Sequence, residues 1–192
     1  MSRLRSPCRE RRLNRACQNP QSRDQIALTA HLGEAPYATA GYSMGAISAL
    51  RFHLLSRNTG RLILGGIGDS VADETNTDRN TVFRAAIEAA IAGEDTPAAR
   101  AILARARATG GALRGYLGAL SARTYTPADL LATFTVPTLV LTGDQDLDNG
   151  SGPALAARIP GARYLGLTGT HLTAVIDPAF PAAIIADLNA GR

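Results

Sequence analysis

The chain has 192 residues, room for one domain and a modest insertion but not for two ordinary domains. At 45% hydrophobic and 19% charged it can bury a core, while two cysteines and no apolar run near 18 residues exclude a disulfide-stapled scaffold and a transmembrane helix. All 20 cationic side chains are arginine, and seven of them (Arg3, Arg5, Arg9, Arg11, Arg12, Arg15, Arg23) lie in residues 1–25 against Glu10 and Asp24, so the net +4 belongs to one end and the rest, with 13 arginines and 14 acids, is nearly neutral.

Residues 1–24 show neither a helical period nor alternation, and are read as a solvated, disordered tail. The segment lacks the apolar stretch of a secretory signal. It also lacks the aromatic or glycine interleaving of a nucleic-acid arm, so no nucleic-acid partner is expected. No membrane partner is expected either, and the expected location is the cytoplasm. Cys8 and Cys17 both fall in this tail with no histidine nearby, which is not a metal spacing.

From residue 25 the pattern is that of a folded domain, 25–192. Gln25 to His31 reads as a short helix stopped by Gly33. Tyr37 to Ala40 reads as a buried strand, followed by the turn Gly41-Tyr42-Ser43-Met44-Gly45 and a helix from Ala46 to Arg57. Further apolar strands are predicted at Arg61–Ile67, Pro137–Gly143 and, more weakly, Tyr164–Leu167. Between the second and third lies a helical stretch: Thr81–Ala92, a helix capped by Thr96-Pro97 and ending at Gly110, Ala112–Arg123, and a fourth helix capped by Thr126-Pro127. A segment this long, about 69–132, is read as a lid. A last amphipathic helix spans Pro178 to Asn189. Strands alternating with helices predict an α/β protein with a mostly parallel sheet flanked by helices and a helical cap insertion.

Gly41-x-Ser43-x-Gly45 between a strand and a helix is the specific chemical signal. The glycines allow a turn too sharp for side chains, and the serine hydroxyl is lifted above the sheet at the start of the next helix. That helix end and the Met44 amide favour developing negative charge. A serine nucleophile needs a base, and three histidines are available. His31 sits near a helix end and His53 within a helix, both ordinary packing or surface positions. His171 lies in the loop Thr168-Gly169-Thr170-His171 after the last strand, where parallel sheets keep their sites. Acids cluster after the third strand as Asp144, Asp146 and Asp148. Their alternate spacing imitates a calcium loop. However, Asn149 stands where glycine is needed and Leu155 where the bidentate glutamate is needed, so no metal is expected.

With GYSMGA at 41–46, PTLVLTGDQD at 137–146 and GTH at 169–171, the chain from about residue 24 resembles the C-terminal two-thirds of an α/β-hydrolase. The resemblance implies a catalytic triad of Ser43, Asp146 and His171, with Asp144 and Asp148 as alternative acids and the Met44 amide in the oxyanion hole. It implies cleavage of an ester, lactone or similar acyl bond in a small-molecule substrate through an acyl-enzyme, with no cofactor. The family places several strands ahead of the elbow strand, and a loop among them gives the second oxyanion amide. Only 36 residues precede Tyr37, against roughly 60 needed, so those strands are expected to be absent. An uncovered sheet edge then favours self-association. The alternative reading is a catalytically impaired or vestigial hydrolase chain that acts as a binding or interaction protein.

Overall fold

The computed structural model describes residues 20–33, 38–56, 60–73, 78–121 and 125–190. Residues 1–19, with Cys8 and Cys17, lie outside the described residues. The first element, α1 (Pro20–Leu32), begins inside the expected tail rather than at Gln25. Proline suits the first helical position, and Ser22, fully buried, donates from its hydroxyl to the Ser48 carbonyl at 3.2 Å. That tertiary bond holds a turn that carries no periodic apolar signal of its own.

Four strands follow: β1 (Thr39–Tyr42), β2 (Leu62–Gly65), β3 (Thr138–Gly143) and β4 (Arg163–Leu167). They pair in the order β1-β2-β3-β4, all parallel, with Thr39 opposite Leu62, Leu62 opposite Thr138 and Leu139 opposite Arg163. Among the described residues β1 pairs on one side only, and its Ala40 is exposed. β2 and β3 are buried along their whole length, which is why they read as continuous apolar runs. β1 runs on through Gly41 and Tyr42, which belong to the strand and not to the turn, while Tyr37 lies outside the described residues.

The described residues form two compact units, one from residues up to 74 together with 124 onward, the other residues 75–123. In the sheet unit, alternate strand side chains face opposite layers. Leu62, Leu64 and Val140 pack with Ala46, Ala49, Leu50 and Leu54 of α2 (Met44–Ser56) and with Leu155 of α7 (Gly152–Ala157). Ile63, Leu139 and Leu141 pack instead with Phe180, Ala183 and Ile184 of α8 (Ala179–Asn189). Arg61, just ahead of β2, reaches α8: its Nη1 donates to Asp187 Oδ2 and to the Asp187 carbonyl, both at 2.7 Å. Arg163 also pairs with Asp187.

The helical unit holds α3 (Asp78–Ala92), α4 (Pro97–Thr109) and α5 (Leu113–Ser121) around Ile87, Ala90, Ala99 and Ile102. Thr96 caps α4 as expected, accepting from the Ala99 amide at 3.1 Å, and Gly110 ends it in the left-handed region at φ 64°. The unit is narrower than the expected 69–132. The 3-10 turn Asp69–Ala72 and α6 (Ala128–Leu131) bury Val71, Leu130 and Leu131 in the sheet unit's core. Thr126 does not cap α6. Its amide donates to the Val71 carbonyl at 2.7 Å, and its buried hydroxyl has no hydrogen-bond partner among the described residues. Among the described residues no helix is long and apolar enough to cross a membrane.

Candidate active site

In a parallel sheet all strands end on one side, so the loops after β1, β2, β3 and β4 converge. Ser43 stands at the first of these ends, between β1 and α2. It is the one non-glycine among the described residues with positive φ, at 54°, a conformation disfavoured for an L side chain. Both its main-chain polar groups are pinned. The amide donates to the Gly65 carbonyl at 2.8 Å, and the carbonyl accepts from Ala46 at 3.0 Å and Ile47 at 3.1 Å. Gly41 is required by the turn, since a Cβ there would overlap the Gly45 carbonyl. Gly45 is not required in the same way: a Cβ at that position meets no heavy atom within 4 Å among the described residues. Met44 is the first residue of α2, so the positive end of the helix lies beside Ser43.

His171 and Asp146 come from the loops after β4 and β3. Nε2 of His171 lies 2.9 Å from Ser43 Oγ, and Nδ1 lies 2.9 Å from Asp146 Oδ2. A carboxylate only accepts, so Nδ1 carries the proton and Nε2 faces the serine hydroxyl as an acceptor. Both His171 and Asp146 are buried, each 8% exposed, which keeps water from competing for these bonds. Asp146 Oδ1 accepts from the Asp148 amide at 3.1 Å.

The other two acids stand elsewhere. Asp144 Oδ1 accepts from the Gly169 amide at 2.8 Å, tying the β3 loop to the loop that carries His171. Asp148 is exposed, and its carboxylate does not replace Asp146 on the imidazole. Asp146, Asp148 and His171 offer ligand atoms within 4.8 Å of one another. A cation there would have to displace the bond between His171 and Asp146. His31 is exposed at the last turn of α1, and His53 is buried, its ring edge-on to Phe134 at 4.8 Å. Neither is brought to Ser43.

Two residues at this end of the sheet carried no sequence signal. Tyr42 donates from its hydroxyl to the His171 carbonyl at 2.6 Å. Its phenol is pushed up to about 12 by burial first, then by the negative charges of Asp146 and Asp148. Asn149 donates from Nδ2 to the Gly66 carbonyl at 2.7 Å and accepts from Ser70 Oγ at 2.5 Å at its own carbonyl. Pairings across 129 and 83 positions leave no local spacing to read, although Tyr42 is adjacent to the expected nucleophile.

No protein-family model matches the chain, and no curated protein sequence matches it. Solved structures do. A hydrolase from Pseudomonas aeruginosa superposes with a TM-score of 0.68 at 24% identity, over 87% of this chain and 70% of that one. An enol-lactonase from Burkholderia xenovorans gives 0.63 at 21% identity, over 88% and 71%. An esterase from Exiguobacterium antarcticum gives 0.60 at 19%, over 88% and 72%. At these identities the likeness speaks for the fold. With its parallel sheet and flanking helices, the chain has the α/β-hydrolase fold.

Proposed function

We propose that the protein is a serine hydrolase that cleaves an ester, a lactone or a similar acyl bond through an acyl-enzyme. The observation that carries this reading is the unbroken relay Ser43–His171–Asp146, two bonds of 2.9 Å, with the serine at a strained strand-to-helix turn. In the reaction Ser43 Oγ attacks the carbonyl carbon while His171 Nε2 takes its proton. His171 then gives that proton to the leaving oxygen as the carbon–oxygen bond breaks, leaving an ester on Ser43. Water repeats the sequence: it attacks the acyl carbon, His171 takes its proton, and Ser43 leaves with that proton restored. Asp146 holds the ring in the tautomer that makes Nε2 the base and stabilises the imidazolium formed in each half. Developing negative charge on the substrate oxygen would meet the Met44 amide at the N-terminus of α2. These steps call on no cofactor.

The test is a fluorophosphonate probe and a short-chain activated ester, applied to the full chain beside Ser43→Ala. Labelling and turnover should fall at least ~10³-fold in the variant. Absence of labelling in wild-type protein shown to be folded would overturn the hydrolase reading and leave the interaction protein as the alternative.

A further inference from the structure

We infer that Tyr42 is a positioning residue for His171, setting where the imidazole stands relative to Ser43; the kinetic part of this inference rests on the hydrolase reading above. Tyr42 is the last residue of β1 and is bonded directly to Ser43, so its main chain moves with the nucleophile. Its hydroxyl reaches across the sheet end to the main-chain carbonyl of His171 at 2.6 Å. Its ring lies 5.2 Å from the His171 ring, inclined at 41°. One side chain therefore links the nucleophile's strand to both the backbone and the ring of the base.

The phenol ring is itself fixed. A Cβ on Gly65 or Gly66 would stand 2.7 or 2.6 Å from the ring, so two consecutive residues without side chains make its seat. Phe180 of α8 packs edge-on to it at 5.4 Å and 81°. With the phenol pushed up to about 12, the hydroxyl remains a donor wherever His171 could act as a base.

Tyr42 adds to a loop held on the histidine ring by Asp146, at Gly169 by the Asp144 carboxylate and the Gln145 amide, and at Thr170 by Thr173 and the Ala174 amide. Its own bond falls on the main chain of the base itself, beside Leu172, which is 63% exposed. A hydrogen bond at the His171 carbonyl fixes the orientation of that peptide and hence the direction in which its Cβ leaves the chain. A displacement near 1 Å is enough to break a 2.9 Å contact to Ser43 and to lower a rate by about 10²-fold.

The test uses the full chain with Tyr42→Phe, which deletes one oxygen and keeps the ring in its seat. Phe180→Leu serves as the second variant, keeping the hydroxyl and removing the ring that buttresses it. Two readings are taken per folded molecule: the downfield proton resonance of His171 Nδ1, and the rate of Ser43 labelling with the kcat and KM of ester turnover. Tyr42→Phe should move or broaden the His171 resonance. Labelling and kcat should fall roughly 10-fold or more while KM stays within about twofold. Phe180→Leu, which loosens the seat but keeps the hydroxyl, should move the resonance less than Tyr42→Phe does. An unchanged His171 resonance in Tyr42→Phe, an unchanged labelling rate in a chain that labels, or an equal response in Phe180→Leu overturns the inference. A wild-type chain that does not label, yet whose His171 resonance answers to Tyr42→Phe, overturns the hydrolase reading alone.

Discussion

Ser43 occupies a backbone conformation that glycine adopts freely and serine adopts at a penalty of about 1–2 kcal/mol. The strain is held by three main-chain hydrogen bonds and is separable from the chemistry. Ser43→Ala and Ser43→Gly both remove the hydroxyl and its bond to His171, but only glycine releases the strain. Glycine should therefore be the more stable variant by about 1 kcal/mol in urea unfolding, and equal midpoints would show that the turn stores nothing. The glycines on either side differ as sharply. Gly41→Ala drives a methyl into the Gly45 carbonyl and should cost several kcal/mol or prevent folding, on the order of the larger single-site losses known. Gly45→Ala has open space among the described residues and should leave stability within about 0.5 kcal/mol. The acids separate too. Asp146→Ala removes the partner of Nδ1 and should slow labelling by about 10²–10⁴-fold, whereas Asp144→Ala, which frees only the Gly169 amide, should cost less than about 10-fold. The reverse order would mean that Asp144 is the acid in solution.

At the level of elements, α8 is fastened to the sheet by charge as well as by packing. Asp187 is 4% exposed and takes both Arg61, itself buried, and Arg163. Removing the carboxylate takes one acceptor from the buried Arg61 and the partner of Arg163, while the residue-187 carbonyl still accepts from Nη1, so Asp187→Ala should cost about 1–3 kcal/mol by urea unfolding. A change below about 1 kcal/mol would mean that water already reaches the pair. Nothing in the spacing of residues 61, 163 and 187 announces this cluster, since an aspartate in a terminal helix reads as a solvated face. The strands were legible for the opposite reason. Ile63, Leu139, Val140 and Leu141 are apolar whichever face they turn, so continuous burial writes itself into composition. Helix ends were legible where one side chain makes the cap, as at Thr96, and misread where a tertiary contact takes over, as at Thr126 and in the first turn of α1. α7 had a usable signal, Ser151 accepting from Ala154 with a proline in the first turn, inside a loop dominated by acids.

For the molecule as a whole, the site exists only where the strand-end loops cross. A Cβ on Gly143 would overlap the Gly169 carbonyl, and one on Gly68 would overlap Gly150, so the β3 loop is pressed against both neighbours. Asn149 and Asp69 then lock it to the loop after β2, Asp69 accepting from the Ser151 amide at 2.8 Å. The residue types and their order, Ser43, then the acids, then His171, could be read in sequence because each follows a strand. Which acid turns inward depends on these crossings, and so does the grip of Tyr42; neither has a local pattern. The burial of the Tyr42 phenol, and then the charges of Asp146 and Asp148 beside it, couple this end of the sheet to global stability through pH. The Tyr42 phenol holds its proton to about pH 12 in the folded chain and to about pH 10 when unfolded. Below pH 10 both states are protonated and its contribution is complete. Between 10 and 12 the unfolded chain ionises first and binds fewer protons than the folded one, so stability falls as pH rises. Tyr42→Phe lacks this group, and the wild-type advantage over it in urea midpoint should hold up to about pH 10 and shrink from there towards pH 12. A constant gap over that range would mean that the Tyr42 hydroxyl faces water, and the bond to His171 would have to be given up.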